Sequence, residues 1–219
     1  MHKSMKRIIS IAIVLIIILS GCLMQKQTAE EIYEVLEKVV VKEKIFEEQQ
    51  TPLMSLEKQE KVLYDKIITL GMKEQKQINK LSDEALKLLD EREELMNKEQ
   101  KSIIASKKEF KKIKALIKEL EDPKVKKEAD MLFDIMQKRY EAHDALYEDY
   151  MKSLSYDREL YQMFKVKDLS IDRLEDQVNK LNASYNEIFA SNEEFNELTK
   201  KYNEQKTVFY KVAGFKIEK

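Results

Sequence analysis

The sequence predicts an all-α fold: an elongated antiparallel up-and-down helical bundle, three long helices plus an N-terminal helix, packed in a coiled-coil-like manner. Three observations carry this. Turn formers are scarce, with 3 glycines and 2 prolines in 219 residues. Charged residues make up 37% and hydrophobic ones 43%, too apolar for disorder and typical of long helices. The apolar residues also recur at steps of three and four, the period of a helix face and not of a strand.

Taken in order, Lys3, Lys6 and Arg7 precede an apolar run from Ile8 to Leu19 broken only by Ser10. Crossing a bilayer takes about 20 apolar residues, whereas an export signal takes roughly 7 to 15. The run reads as an export signal. Leu19, Ser20, Gly21 and Cys22 follow, a tetrapeptide that resembles the bacterial lipobox. Cys22 is the one cysteine of the chain, so no disulfide or metal cluster competes for it. It is the expected lipid-attachment residue, through a diacylglyceryl group, and two acyl chains anchor a protein stably where one is marginal. Residues 1–21 are then a signal peptide that is removed, 22–27 a tether, 28–213 a single helical-bundle domain and 214–219 a C-terminal tail. Removal takes three cations and no acid, so the formal charge moves from −1 to −4.

A first helix is expected from Thr28, with Thr28 as N-cap and Glu31 completing a capping box. Its stripe is Ile32, Val35, Leu36, Val39 and Phe46, and it should end near Gln50, because Thr51 precedes Pro52. A second helix, from Leu53 toward Leu120, has two candidate interruptions, Gly71 and the segment from Ser82. Its later stripe is Ile103, Ser106, Phe110, Ile113, Ile117 and Leu120. Asp122 caps a third helix and Pro123 occupies its first position. That helix carries Tyr140, His143, Tyr147, Tyr150, Tyr161 and Phe164 on its packed face. Asp168, Leu169 and Ser170 form the next turn. The last helix has a seam running from Ile171 through Leu174, Val178, Leu181, Tyr185, Ile188, Asn192 and Phe195 to Phe209. Asn192 reads there as a register-fixing polar residue, and Gly214 ends the helix.

Charge is uneven along this arrangement. Nine lysines, at 107, 108, 111, 112, 114, 118, 124, 126 and 127, face acids at 109, 119, 121 and 122, a local balance of +5. An antiparallel hairpin gathers them at one tip, together with Lys206, Lys211, Lys216 and Lys219. The opposite end is acidic, with Glu141, Asp144, Glu148, Asp149, Asp157 and Glu159 closing the third helix and Asp168, Asp172, Glu175 and Asp176 opening the fourth. Lys107, Lys108, Lys111, Lys112, Lys114, Lys124, Lys126 and Lys127 are therefore the candidate residues for binding an anionic polymer.

Across essentially the whole chain, the sequence resembles the cell-wall-binding lipoproteins of Bacillus-type Gram-positive bacteria. The lipobox carries this resemblance, with Phe46 to Leu53 (FEEQQTPL), Arg139-Tyr140, Lys167-Asp168-Leu169 and Phe195 to Lys206 (FNELTKKYNEQK). It implies a helical surface lipoprotein on the outer face of the cytoplasmic membrane, associated with the wall, and brings no active-site residues.

Catalysis is not expected, and neither is a cofactor or a metal. Beyond the signal, His143 is the one imidazole, placed between Tyr140 and Tyr147 on a packed face, as a core residue would be. No G-x-S-x-G, H-E-x-x-H or P-loop spacing occurs. The tyrosines of the third helix read as packing and not as a sugar-stacking platform. The expected function is an exported, lipid-anchored surface lipoprotein whose noncatalytic rod binds the cell wall, through teichoic acid or peptidoglycan, or braces the space between membrane and wall. The alternative is a helical adaptor or chaperone for a membrane or secreted envelope protein. Nucleic acid is an unsuited partner for an acidic domain outside the membrane.

Overall fold

The structure, a computed structural model, describes residues 2–70 and 74–215, with side chains from residue 26 onward. Helix α1 spans His2–Thr69, α2 Gln75–Phe110, α3 Ile113–Glu119, α4 Pro123–Phe164 and α5 Ile171–Val212. The signal peptide, the lipobox and Cys22 lie outside the residues whose side chains are described.

The bundle is all-α and antiparallel, as its apolar periodicity requires. It is built from two hairpins. Helix α1 packs along α2, α4 packs along α5, and α2 against α4 joins the pairs. Helix α4 has 42 residues, so the rod is about 60 Å long.

Two boundaries differ from expectation. Helix α1 does not begin at Thr28 or end before Pro52; it is continuous through both. Pro52 is exposed and Glu48, whose carbonyl loses its partner, is exposed too, so water can take the freed hydrogen bond. Leu53 and Ile67 meanwhile bury against α2, and that packing holds the helix through the proline. The helix ends instead at Thr69, and Gly71 lies outside the described residues. Ser82, the other candidate, is buried inside α2. At Lys111 and Lys112 the backbone stays helical, but the Lys112, Lys114 and Ala115 amides bond three residues back, so α2 and α3 form one nearly continuous arm.

The remaining turns follow their chemistry. Asp122 Oδ1 accepts from the Lys124 amide at 2.7 Å, with Pro123 at the first helical position. Asp168, at φ 63°, makes the reversal between α4 and α5. Gly214, at φ 84°, ends α5 as the sequence indicates. The Phe215 amide there donates to Tyr210 O at 2.9 Å and the Gly214 amide to Lys211 O at 3.2 Å, a Schellman closure.

The core divides along the rod. At one end Ala29, Ile32 and Leu36 pack with Ile113, Leu120, Val125, Phe209 and Tyr210. Toward the other, Ile67, Ile78, Leu89, Leu160, Tyr161 and Phe164 form a second cluster. The α5 seam is only partly apolar. Leu181, Phe195, Tyr202 and Phe209 are buried, Ile171 is exposed, and Gln177, Ser184 and Gln205 are buried instead. Gln177 and Gln205 each donate to a carbonyl of α4, at Tyr156 and Glu128. Asn192 is exposed and receives the amide of Asn196 on its own helix, so it fixes no register.

Candidate functional site

The turn between α3 and α4 gathers the eight candidate lysines at one end of the rod. They are not equally free. Lys107 Nζ sits 2.8 Å from Asp144 Oδ2 and Lys112 Nζ 2.7 Å from Glu109. Lys126 Nζ donates to Lys118 O at 3.2 Å, and Lys114 lies over the Phe133 ring at 5.7 Å. Lys108, Lys111, Lys124 and Lys127 are exposed and face solvent. The core beneath them contains Ala29 and Ile32, which places the start of the packed part of α1 at this same end. At the opposite end Asp168, Asp172, Glu175 and Asp176 are exposed. Asp144, expected among the acids there, instead pairs with Lys107, and Asp157 is interior.

Beyond the lysine end, where Tyr210 meets Tyr33 and Glu37, the bundle is open between α1 and α5. Two adjoining cavities, of about 450 and 800 Å³, run along this side and share Glu57, Tyr150, Tyr185 and Ile188. The floor is charged. Glu60, Arg92, Glu99 and Asp157 are 5%, 3%, 2% and 1% exposed. Arg92 donates to Tyr150 Oη at 2.8 Å and to Glu60, while Tyr161 Oη donates to Glu60 at 3.1 Å. Tyr150 Oη in turn donates to Glu57 at 2.8 Å, and Tyr185 Oη to Asp157 Oδ1 at 2.8 Å. Burial raises the carboxyls of Glu60 and Asp157 above the ordinary range, against the pull of Arg92. Glu99, bonded by Gln50, is pushed by burial up to about 8.

A second polar network crosses the rod nearer its lysine end. Arg139 donates to Thr199 Oγ1 at 2.8 Å and Glu43 Oε1 at 2.9 Å, and stacks over Phe195 at 4.7 Å. His143 lies beside it, edge-on to Phe46 and Phe195 at 5.6 and 5.2 Å. Neither of its ring nitrogens has a hydrogen-bonding partner in the protein, and burial pushes the imidazole down to about 4. It is a core ring, 1% exposed and held neutral by burial.

Sequence reasoning placed the lysines and passed over the interior charges. Their signal was present. Leu89, Arg92, Met96, Glu99 and Ile103 follow steps of three and four, so Arg92 and Glu99 stand on an apolar stripe. Tyr150, Leu154, Asp157 and Tyr161 do the same in α4. Tyr140, Tyr150 and Tyr161 of α4 do pack into the core, and the hydroxyls of Tyr150 and Tyr161 also reach the groove.

These features define a class, an elongated all-helical bundle with a lysine-rich end and a polar side groove. Among the described residues no group of His, Cys, Asp or Glu could hold a metal, and no helix is long and apolar enough to cross a membrane. The chain belongs to the YkyA family, described as "Putative cell-wall binding lipoprotein", whose pattern matches residues 27–212. It is 37% identical over 203 residues to "Uncharacterized lipoprotein YkyA" of Bacillus subtilis (strain 168), spanning 93% of this chain and 91% of that one. The fold is similar to that in the 1.6 Å crystal structure of a conserved protein of unknown function from Staphylococcus aureus. The TM-score is 0.74 at 17% identity, over 84% of this chain and 93% of that chain.

Proposed function

We propose that this chain is an exported lipoprotein, anchored by a diacylglyceryl group on Cys22 to the outer face of the cytoplasmic membrane, whose noncatalytic rod binds anionic cell-wall polymer through its lysine-rich end. The observation that carries the reading is the packing of Ala29 and Ile32 beneath Leu120 and Val125. With residues 22–27 as tether, the lysines stand at the membrane end of the rod. Teichoic-acid phosphates close to the membrane are the polymer such an end can reach. Screening over about 8 to 10 Å confines the attraction to direct approach.

Charge reversal at the four exposed positions, Lys108, Lys111, Lys124 and Lys127 to Glu, tests this. The protein should cosediment with purified wall at low salt and be released at high salt, and the variant should not cosediment at either. Cosedimentation unchanged by the four substitutions sinks the reading. Loss of binding to anionic vesicles, with wall binding intact, would transfer the role of the lysines to lipid headgroups.

One observation favours the alternative of a helical adaptor for an envelope protein. The groove between α1 and α5 carries exposed apolar side chains, Phe189 at 71% and Met54 at 53%, of the kind that dock a partner helix.

A further inference from the structure

Ionised, the two buried acids of the smaller cavity outnumber its one buried cation, and burial makes each hold its proton more tightly. Glu60 and Asp157 are both interior, and Arg92 is the cation that meets them at that depth. Two of its three nitrogens already serve other groups. Nε donates to Tyr150 and one terminal nitrogen to Glu60. That terminal nitrogen lies 3.7 Å from Asp157 Oδ2, an ion-pair distance too long for a hydrogen bond. Asp157 Oδ1 accepts from Tyr185, but Oδ2 accepts from nothing in the protein. Lys61, at the rim, is held by Asp65 at 2.8 Å. An acceptor oxygen that is 99% buried with its residue and lacks a donor is costly to fold around.

Asp157 lines a cavity of about 450 Å³, within the range of small-molecule sites. Its walls include the rings of Tyr64, Tyr161 and Tyr185 and the aliphatic Val178, Leu181 and Ile188. Aromatic faces attract cations, most strongly where water is thin. We propose that this cavity is a binding site for a small organic ammonium ion, whose N–H donates to Asp157 Oδ2 while its carbon body packs on the tyrosines and aliphatic side chains. An anion would add to an excess already present. A bare metal ion finds no ligand set among the described residues. Water would supply the hydrogen bond and leave the charge. The site is separate from the lysine end and stands or falls independently of it.

The test uses n-butylammonium and its uncharged isostere 1-butanol. Binding is read by saturation-transfer NMR and by tyrosine fluorescence, which no tryptophan obscures. The protein should bind n-butylammonium and not 1-butanol. Asp157→Asn should weaken binding about tenfold or more. Asn182→Arg, an exposed substitution at the mouth, should also weaken it by placing a like charge in the path of the ligand. Absence of n-butylammonium binding, or equal binding of 1-butanol, overturns the proposal, as does unchanged binding by Asp157→Asn. Should that variant lose its helical circular dichroism, Asn182→Arg decides, and unchanged binding there overturns the proposal equally.

Discussion

Glu99 stands where the α2 stripe calls for a leucine, and burial pushes its carboxyl up to about 8. An exposed glutamate titrates at about 4.3, so the folded state holds this proton more tightly than the unfolded one. Stability is therefore lost as pH rises from about 4 to 8. His143 acts at the other limb. With the ring pushed down to about 4 from an ordinary value of about 6.5, the unfolded state takes the proton first and stability is lost as pH falls through that window. Glu99→Gln should remove the alkaline loss alone. By chemical denaturation the variant should be more stable than the parent by about 2 kcal/mol near pH 8 and equal to it near pH 4. A difference constant across pH would show that Glu99 is not held protonated. Such residues were legible only as exceptions. Steps of three and four put Arg92, Glu99 and Asp157 on buried faces, but a charge on a stripe is discounted when the reader collects only apolar side chains. The depth at which it is held depends on partners 28 to 58 residues away, such as Tyr185 for Asp157, Gln50 for Glu99 and Tyr150 for Arg92.

Among the elements, α1 shows where local rules yield to packing. Thr28, Glu31, Thr51 and Pro52 carry helix-boundary signals, yet α1 is unbroken across all four. An interior proline costs a helix about 3 kcal/mol. Burial of Val35, Leu36, Val39, Leu53 and Ile67 along a single line exceeds that cost, since each such side chain contributes about 1.5 to 3 kcal/mol. The boundaries that did follow the sequence, Asp122-Pro123 and Gly214, lie at the end of the rod, where the caps decide. Pro52→Ala restores the missing donor to Glu48 O on an exposed face. It should raise stability by about 1 to 3 kcal/mol without changing the fold, seen as a higher melting temperature with the same circular dichroism spectrum. A lower melting temperature would mean that the proline holds α1 in a shape that the groove beside it requires.

For the whole molecule, the two hairpins set a polarity that no single helix carries. The α3–α4 turn brings Lys108, Lys111, Lys124 and Lys127 to the end where Ala29 and Ile32 are packed, and the α4–α5 turn takes Asp168, Asp172, Glu175 and Asp176 to the other. An anionic membrane attracts a nearby basic side chain by about 1 kcal/mol, and this falls off within a Debye length, far less than the rod's length of about 60 Å. A rod tethered at its basic end gains that attraction while its acidic end lies beyond the field. If Cys22 carries the lipid, a cysteine introduced elsewhere is the single free thiol, because the chain has no other. A donor dye on Lys124→Cys in the lipidated protein on anionic vesicles should then transfer strongly to an acceptor on lipid headgroups, and one on Asp168→Cys weakly. High salt should reduce the difference, as screening weakens the attraction of the basic end to the membrane. Equal transfer from both positions would mean that the rod lies flat, exposing its side groove to the bilayer, and stronger transfer from position 168 would mean that it is inverted. In either case the lysines would not be the membrane-facing end, and the assignment of polymer binding to them would fail with it.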